Sequence, residues 1–164
     1  MINQQNTIFQ EAPQSNDEII FNGMNIEQRN VIKFIYGLPG FEGLIKFEIE
    51  ELKDYPPFGV LQSLEEMDIS MLILDIRYLK ICDQIKISFD ELKRIGVYSD
   101  NIDEDIKIYV ILKIDEEKQM LSANVKAPIV INTEKRLGGQ IILDNKSLPV
   151  EYVLKDGLRR TNEN

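Results

Sequence analysis

From Val31 to Leu154 the apolar residues of this chain fall in short runs broken by Gly, Pro, Asp and Asn, and that texture limits its fold more than any other feature. Runs of this length and spacing belong to an all-β barrel or sandwich. Strands are predicted over residues 31–35, 45–49, 59–63, 69–75, 106–113, 120–125, 129–132, 140–143 and 151–154. The clearest is 106–113, where Ile106, Ile108, Val110 and Leu112 alternate with Lys107, Tyr109, Ile111 and Lys113. One face of that strand is apolar and the other amphipathic. The polar turn Asp115-Glu116-Glu117-Lys118 then leads into 120–125, which reads as an antiparallel hairpin. β-branched residues are frequent throughout, as pleated packing favours.

One helix interrupts the strands. Ser88-Phe89-Asp90-Glu91 has the S-x-x-E capping box, Phe89, Leu92 and Ile95 share a face, and Gly96 offers a left-handed stop. Asp90, Lys93 and Arg94 are left on the exposed side. The expected fold class is all-β, mainly antiparallel, a small β-barrel with one short packed helix. At 164 residues a single domain is expected, long enough to bury a core without disulfides or a structural metal. Residues 1–28 are rich in Asn, Gln and Glu and are expected to form a flexible tail. A short exception is Ile19-Ile20-Phe21, which can pair on a sheet edge or dock in a groove. The barrel domain is placed at 29–158 and a frayed end at 159–164.

The absence of histidine and a single cysteine, Cys82, exclude a disulfide within the chain, a His/Cys zinc site and Ser-His-Asp or Cys-His nucleophilic machinery. Cys82 reads as a small buried hydrophobe in a reducing compartment. Paired acids occur at Glu50-Glu51, Glu65-Glu66-Asp68 and Asp103-Glu104-Asp105, but such runs in turns are solvated faces rather than carboxyls opposed across a cleft. No glycine follows the acidic loop where a calcium loop needs one. The segment 37–43 is glycine-rich without nucleotide-loop spacing; Leu38-Pro39-Gly40 has instead the pattern of a type II turn. Phe41 follows it, placed either to anchor in the core or to present an aromatic contact. No catalytic residue, cofactor or metal is expected, and the chain is not expected to be an enzyme.

With 19 Lys+Arg against 28 Asp+Glu the net charge is −9, which opposes binding to nucleic-acid phosphates and favours encounter with a basic protein. The first residues lack the features of a secretory signal, and no apolar run approaches the ~20 residues that cross a bilayer. A cytoplasmic protein that binds neither membrane nor nucleic acid directly is expected.

Three patches carry a family resemblance. They are Gly37-Leu38-Pro39-Gly40-Phe41-Glu42, then Pro57-Phe58-Gly59-Val60-Leu61-Gln62-Ser63, then Asn124-Val125-Lys126-Ala127-Pro128-Ile129-Val130-Ile131-Asn132 followed by Gly138-Gly139-Gln140-Ile141-Ile142-Leu143. In this order and spacing the series resembles the flagellar assembly factor FliW family over about residues 31 to 154. Two departures, Asp75-Ile76 where the family commonly has Asp-Pro and Val125 where it has Leu, are conservative for the fold. Nothing is carried onto the N-terminal segment. The resemblance implies a small antiparallel barrel whose activity is binding: to newly made flagellin and, once flagellin is exported, to the RNA-binding translational repressor CsrA. Free of partners the chain is expected to be monomeric.

Partner-binding candidates are Phe41 and Glu42 in the first patch, and Phe58, Leu61, Gln62 and Ser63 in the second. Asn124, Lys126, Pro128 and Asn132 follow in the third. Phe58 and Leu61 read as exposed apolar anchors, and the amides of Gln62, Asn124, Asn132 and Gln140 serve either strand ends or a partner. The acidic loop Asp103-Glu104-Asp105 is a further candidate, placed to repel RNA from a bound repressor. The alternatives are a flagellin-only chaperone and a PilZ-like ligand-sensing barrel. The latter needs an R-x-x-x-R arm that Arg159-Arg160 does not supply.

Overall fold

The computed structural model describes residues 20–21, 24–25, 30–98 and 106–155. Two short strands, β1 (Ile20–Phe21) and β2 (Met24–Asn25), pair with each other as a separate antiparallel ladder. The exception expected at Ile20-Phe21 is thus paired, though with its own neighbours and not with the edge of the main sheet. The remainder of the N-terminal segment and residues 156–164 lie outside the described residues.

The main sheet comprises β3 (Ile32–Phe34), β4 (Lys46–Glu51), β5 (Phe58–Ser63), β6 (Ser70–Asp75), β7 (Ile106–Asp115), β8 (Met120–Ala123), β9 (Ile129–Asn132), β10 (Leu137–Gln140) and β11 (Tyr152–Val153). Seven of these strands close into a barrel in the order β7-β6-β5-β4-β3-β10-β9 and back to β7. All neighbours are antiparallel except β3 and β10. Closure depends on the length of β7. Its first half pairs with β9, from Ile106↔Asn132 to Tyr109↔Ile129. Its second half pairs instead with β8, from Leu112↔Ala123 to Asp115↔Met120, and β8 carries β11 outside the ring. The hairpin turn is the one expected: Asp115 Oδ1 accepts from the Lys118 N–H at 3.0 Å.

Alternation along β7 sorts its side chains into two cores, and not in the way the sequence suggests. Tyr109 and Ile111, on the amphipathic face, point into the barrel with Ile32, Phe34, Phe47, Leu61, Ile73, Ile129 and Ile131. Phe34 and Phe47 meet edge to face there, with centroids 4.9 Å apart. The apolar face of Val110 and Leu112 turns outward and is covered by Leu79, Ile81, Ile85, Leu143, Leu148 and Leu154. A barrel interior this narrow holds few side chains per strand, so a second apolar layer outside the wall adds to the buried surface.

Helix α1 (Phe89–Arg94) closes the outer layer. Its capping box forms as expected, with the Ser88 side chain accepting from the Glu91 N–H and Glu91 accepting from the Ser88 N–H. Gly96 has φ +81° at the stop. Leu92, Ile95 and Val97 pack on Val130 of the barrel wall. Phe89 departs from the expectation: it is 39% exposed, with Lys93 Nζ 4.7 Å from its ring centre. As the first helical residue it precedes the turn that docks, so the face begins at Leu92.

The strand expected over 140–143 lies three residues earlier, at Leu137–Gln140. Gly138 and Gly139 both lie inside this strand, and for Gly138 the reason is packing. A Cβ on Gly138 would stand 3.0 Å from Ile32 Cγ2 and from the Phe34 ring, so any larger residue must push these core side chains aside for β10 to close against β3. Gly138→Ala is therefore expected to lower stability by about 1–3 kcal/mol, read as a shifted denaturant midpoint with unchanged slope.

Candidate partner-binding groove

The segment after β3 is built around a type II turn. Leu38 C=O accepts from the Phe41 N–H at 2.7 Å, Pro39 fills the second position, and Gly40 takes φ +88°. Gly37 (φ +64°) lies so close to the returning chain that a Cβ there would sit 2.6 Å from the Glu42 carbonyl oxygen. Glu42 folds its carboxylate back onto the Gly40 N–H at 2.9 Å. That bond and one from its own N–H hold the Glu42 carboxyl below the usual range. The tie is therefore present above the ordinary carboxylate pKa and is lost as pH falls through the lowered value. Arg94 stacks on the Tyr36 ring at 4.9 Å and ties the helix end to this segment.

The turn leaves Leu38 buried beneath Pro39 and Phe41 at one mouth of the barrel. A groove of about 510 Å³ opens there. Pro39 and Phe41 form one wall, Ile69, Met71 and Ile111 the floor, and Asn124, Ala127, Gln140 and Ile142 the other wall. The first and third sequence patches, eighty and more residues apart, thus meet across one opening. Phe41 is 37% exposed and Ile142 is 71% exposed, large apolar surface at the rim of a concave site. Asp68 also lines the groove, and Glu42 and Glu66 are exposed on the neighbouring turns, so the apolar centre has an acidic surround.

The sequence candidates divide. Phe41 and Asn124 line the groove, Glu42 braces its turn, and Lys126 lies half-buried between Asn124 and Ala127. Of the two roles left open for Phe41, the core anchor is excluded, because the turn lifts it onto the rim. No residue of the second patch lines this groove. Leu61 is 0% exposed, pointing into the barrel, and Phe58 is half-buried against the outer core, so neither is an exposed anchor. Period-two alternation along β5 forces Gly59, Leu61 and Ser63 inward together.

The amides and hydroxyl of the patches serve the backbone. Gln62 Nε2 donates to the carbonyls of Ser63, Met67 and Ile69 at 3.0, 2.9 and 3.1 Å. Ser63 is buried, and its Oγ accepts from the N–H groups of Glu65 and Glu66. Together they shape the 64–68 loop that borders the groove. Asn132, also buried, donates to the Ile95 carbonyl and accepts from the Lys135 N–H, both at 3.1 Å, locking the helix end to the β9–β10 turn. Gln140 donates to the Ala127 carbonyl at 2.9 Å, and buried Pro128 accepts from the Ile141 N–H. Asp103, Glu104 and Asp105 lie outside the described residues.

Ile142, Ile69, Met71 and Ile111 are groove residues that sequence reasoning passes over. Ile142 carried a usable signal: with Ile141 and Leu143 turned toward the cores, alternation sends it outward beside Gln140. Among the described residues no helix is long and apolar enough to cross a membrane, and no group of three or more Cys, Asp or Glu is placed to hold a metal ion.

Residues 17–154 match the family model of the FliW protein. The chain belongs to the FliW family. Among relatives named flagellar assembly factor FliW, that of Caldicellulosiruptor saccharolyticus is 32% identical over 139 residues, covering 85% of this chain and 89% of its own. That of Caldanaerobacter subterraneus is 36% identical over 141 residues, covering 85% and 91%. A crystal structure of the flagellar assembly factor FliW superposes with a TM-score of 0.69 at 28% identity, over 79% of this chain and 89% of that one. The FliW match begins at residue 17, ahead of the first sequence patch, and takes in the β1–β2 ladder that the motif resemblance leaves aside.

Proposed function

We propose that this FliW-family chain is a cytoplasmic flagellar assembly factor that holds flagellin and, when flagellin is exported, binds and antagonises the translational repressor CsrA. The observation that carries the reading is the meeting of the first and third patches in one groove with an exposed apolar rim and an acidic surround. An apolar centre of this kind suits a protein segment that buries an aromatic or aliphatic anchor. A net charge of −9 supports a basic RNA-binding protein as second partner, because it speeds their encounter and raises the cost of bringing phosphates alongside. The reading is of binding and not of catalysis.

One groove serving both partners makes them mutually exclusive. Titrating CsrA into a preformed flagellin complex by calorimetry is expected to give no binding heat beyond displacement. Independent binding of both partners contradicts the switch. Flagellin binding with no effect on repressor-bound RNA identifies a flagellin-only chaperone instead.

A further inference from the structure

The barrel has a second mouth at the opposite end, and its chemistry differs from that of the groove. There a pocket of about 320 Å³ has Ile32, Ile49 and Ile131 as its floor and Lys107, Arg136 and Glu51 at its rim. In a chain of net charge −9, a rim with two cations and one anion is a local reversal of sign. Neither Lys107 nor Arg136 forms a salt bridge among the described residues. Arg136 is held at φ +54°, a backbone conformation that non-glycine residues seldom adopt, while its carbonyl accepts from the Lys33 N–H at 2.9 Å.

A buried polar group supplies the second observation. Tyr109 lines this pocket, is only 8% exposed, and its hydroxyl makes no hydrogen bond among the described residues. A phenol on a pocket wall with no protein acceptor has its O–H free for a ligand's oxygen. Burial, with the charges of Asp75 and Glu51, pushes the Tyr109 phenol up to about 12, so the hydroxyl keeps its proton throughout the neutral range. Asp75 is already engaged by Arg77 through three contacts of 3.0, 3.0 and 2.6 Å.

From these groups we infer that the second mouth binds an aliphatic monocarboxylate, with its chain among the isoleucines and its carboxylate accepting from Lys107, Arg136 and Tyr109. The charge balance selects the head group. A single negative charge neutralises a rim of two cations and Glu51, whereas a phosphate dianion leaves an excess negative charge beside Glu51. The volume is at the lower end of small-ligand pockets, and the floor is apolar as such sites require. This site is separate from the protein-binding groove, and its test does not depend on the flagellar partners.

The probe is sodium octanoate, titrated calorimetrically into the full chain. Saturable binding of one octanoate per chain is expected, with octanol and octylamine at least about tenfold weaker and acetate inert. Lys107→Met with Arg136→Met should weaken octanoate about tenfold or more, and Tyr109→Phe should weaken it several-fold, with thermal melts matching the parent. A short peptide ending in Leu, free or amidated, identifies the source of the carboxylate. Binding of the free-acid peptide but not the amide supports a protein C-terminus as ligand, and binding of octanoate alone supports a free acid. Absence of saturable octanoate and peptide binding, unchanged affinity in the double variant, or equal binding of the amide overturns the assignment.

Discussion

A double variant carrying Phe41→Asp and Ile142→Asp is expected to melt with the parent protein and to bind flagellin about a hundredfold more weakly or worse. Ile142 is 71% exposed and Phe41 is lifted onto the rim by its turn, so neither change opens a cavity. Exposed substitutions of this kind move stability by about 0.5 kcal/mol or less. In the complex, however, both side chains would be buried on opposite walls of one groove. Aspartate there removes apolar contact and adds a charge that must be desolvated, in a surround already acidic from Asp68 and Glu42. Truncation of a buried anchor costs about 2 kcal/mol or more, and two across one groove account for the expected loss. Competition binding with labelled flagellin reads the affinity, and circular dichroism melts read the fold.

Leu61→Ala is expected to do the opposite. Leu61 is 0% exposed and pairs with Ile49 of β4 and Met71 of β6, inside a ring that cannot collapse without bending its strands. A leucine removed from such a place costs about 2–5 kcal/mol, which for a chain of this size lowers the melting temperature by about 5–20 °C. Partner affinity, measured well below the transition and corrected for the folded fraction, should stay within about threefold of the parent. The pair of variants therefore separates the two patches that look alike in the sequence: one proposed as an interface, the other holding the barrel together.

That separation shows where the sequence is legible. The barrel, the helix with its cap, the 115–118 turn and the type II turn at Leu38 are all readable, because each rests on local chemistry within a few residues. What is not readable depends on closure. Whether Val110 or Tyr109 faces the inside of a barrel is decided by which partner strands complete the ring, and the more apolar face of β7 is spent on an outer layer instead. The demand for glycine at 138 is not readable either, because it comes from Ile32 and Phe34, a hundred residues earlier. Gln62, Ser63 and Asn132 look like contact residues, yet they satisfy backbone groups whose positions the sequence does not show. For Phe41 the sequence leaves core anchor and surface contact both open, and only the turn geometry decides by lifting it onto the rim.

The central claim is that partners dock on the groove where the first and third patches meet. Hydrogen exchange of the protein with and without flagellin, resolved to short peptides by mass spectrometry, tests it without altering a residue. The account predicts slowed exchange over 38–42, 68–71 and 124–127 and over 140–143, with little change over 107–109 and 133–136 at the opposite mouth. Protection confined to the opposite mouth, or to the outer face of β4 and β5, would contradict it.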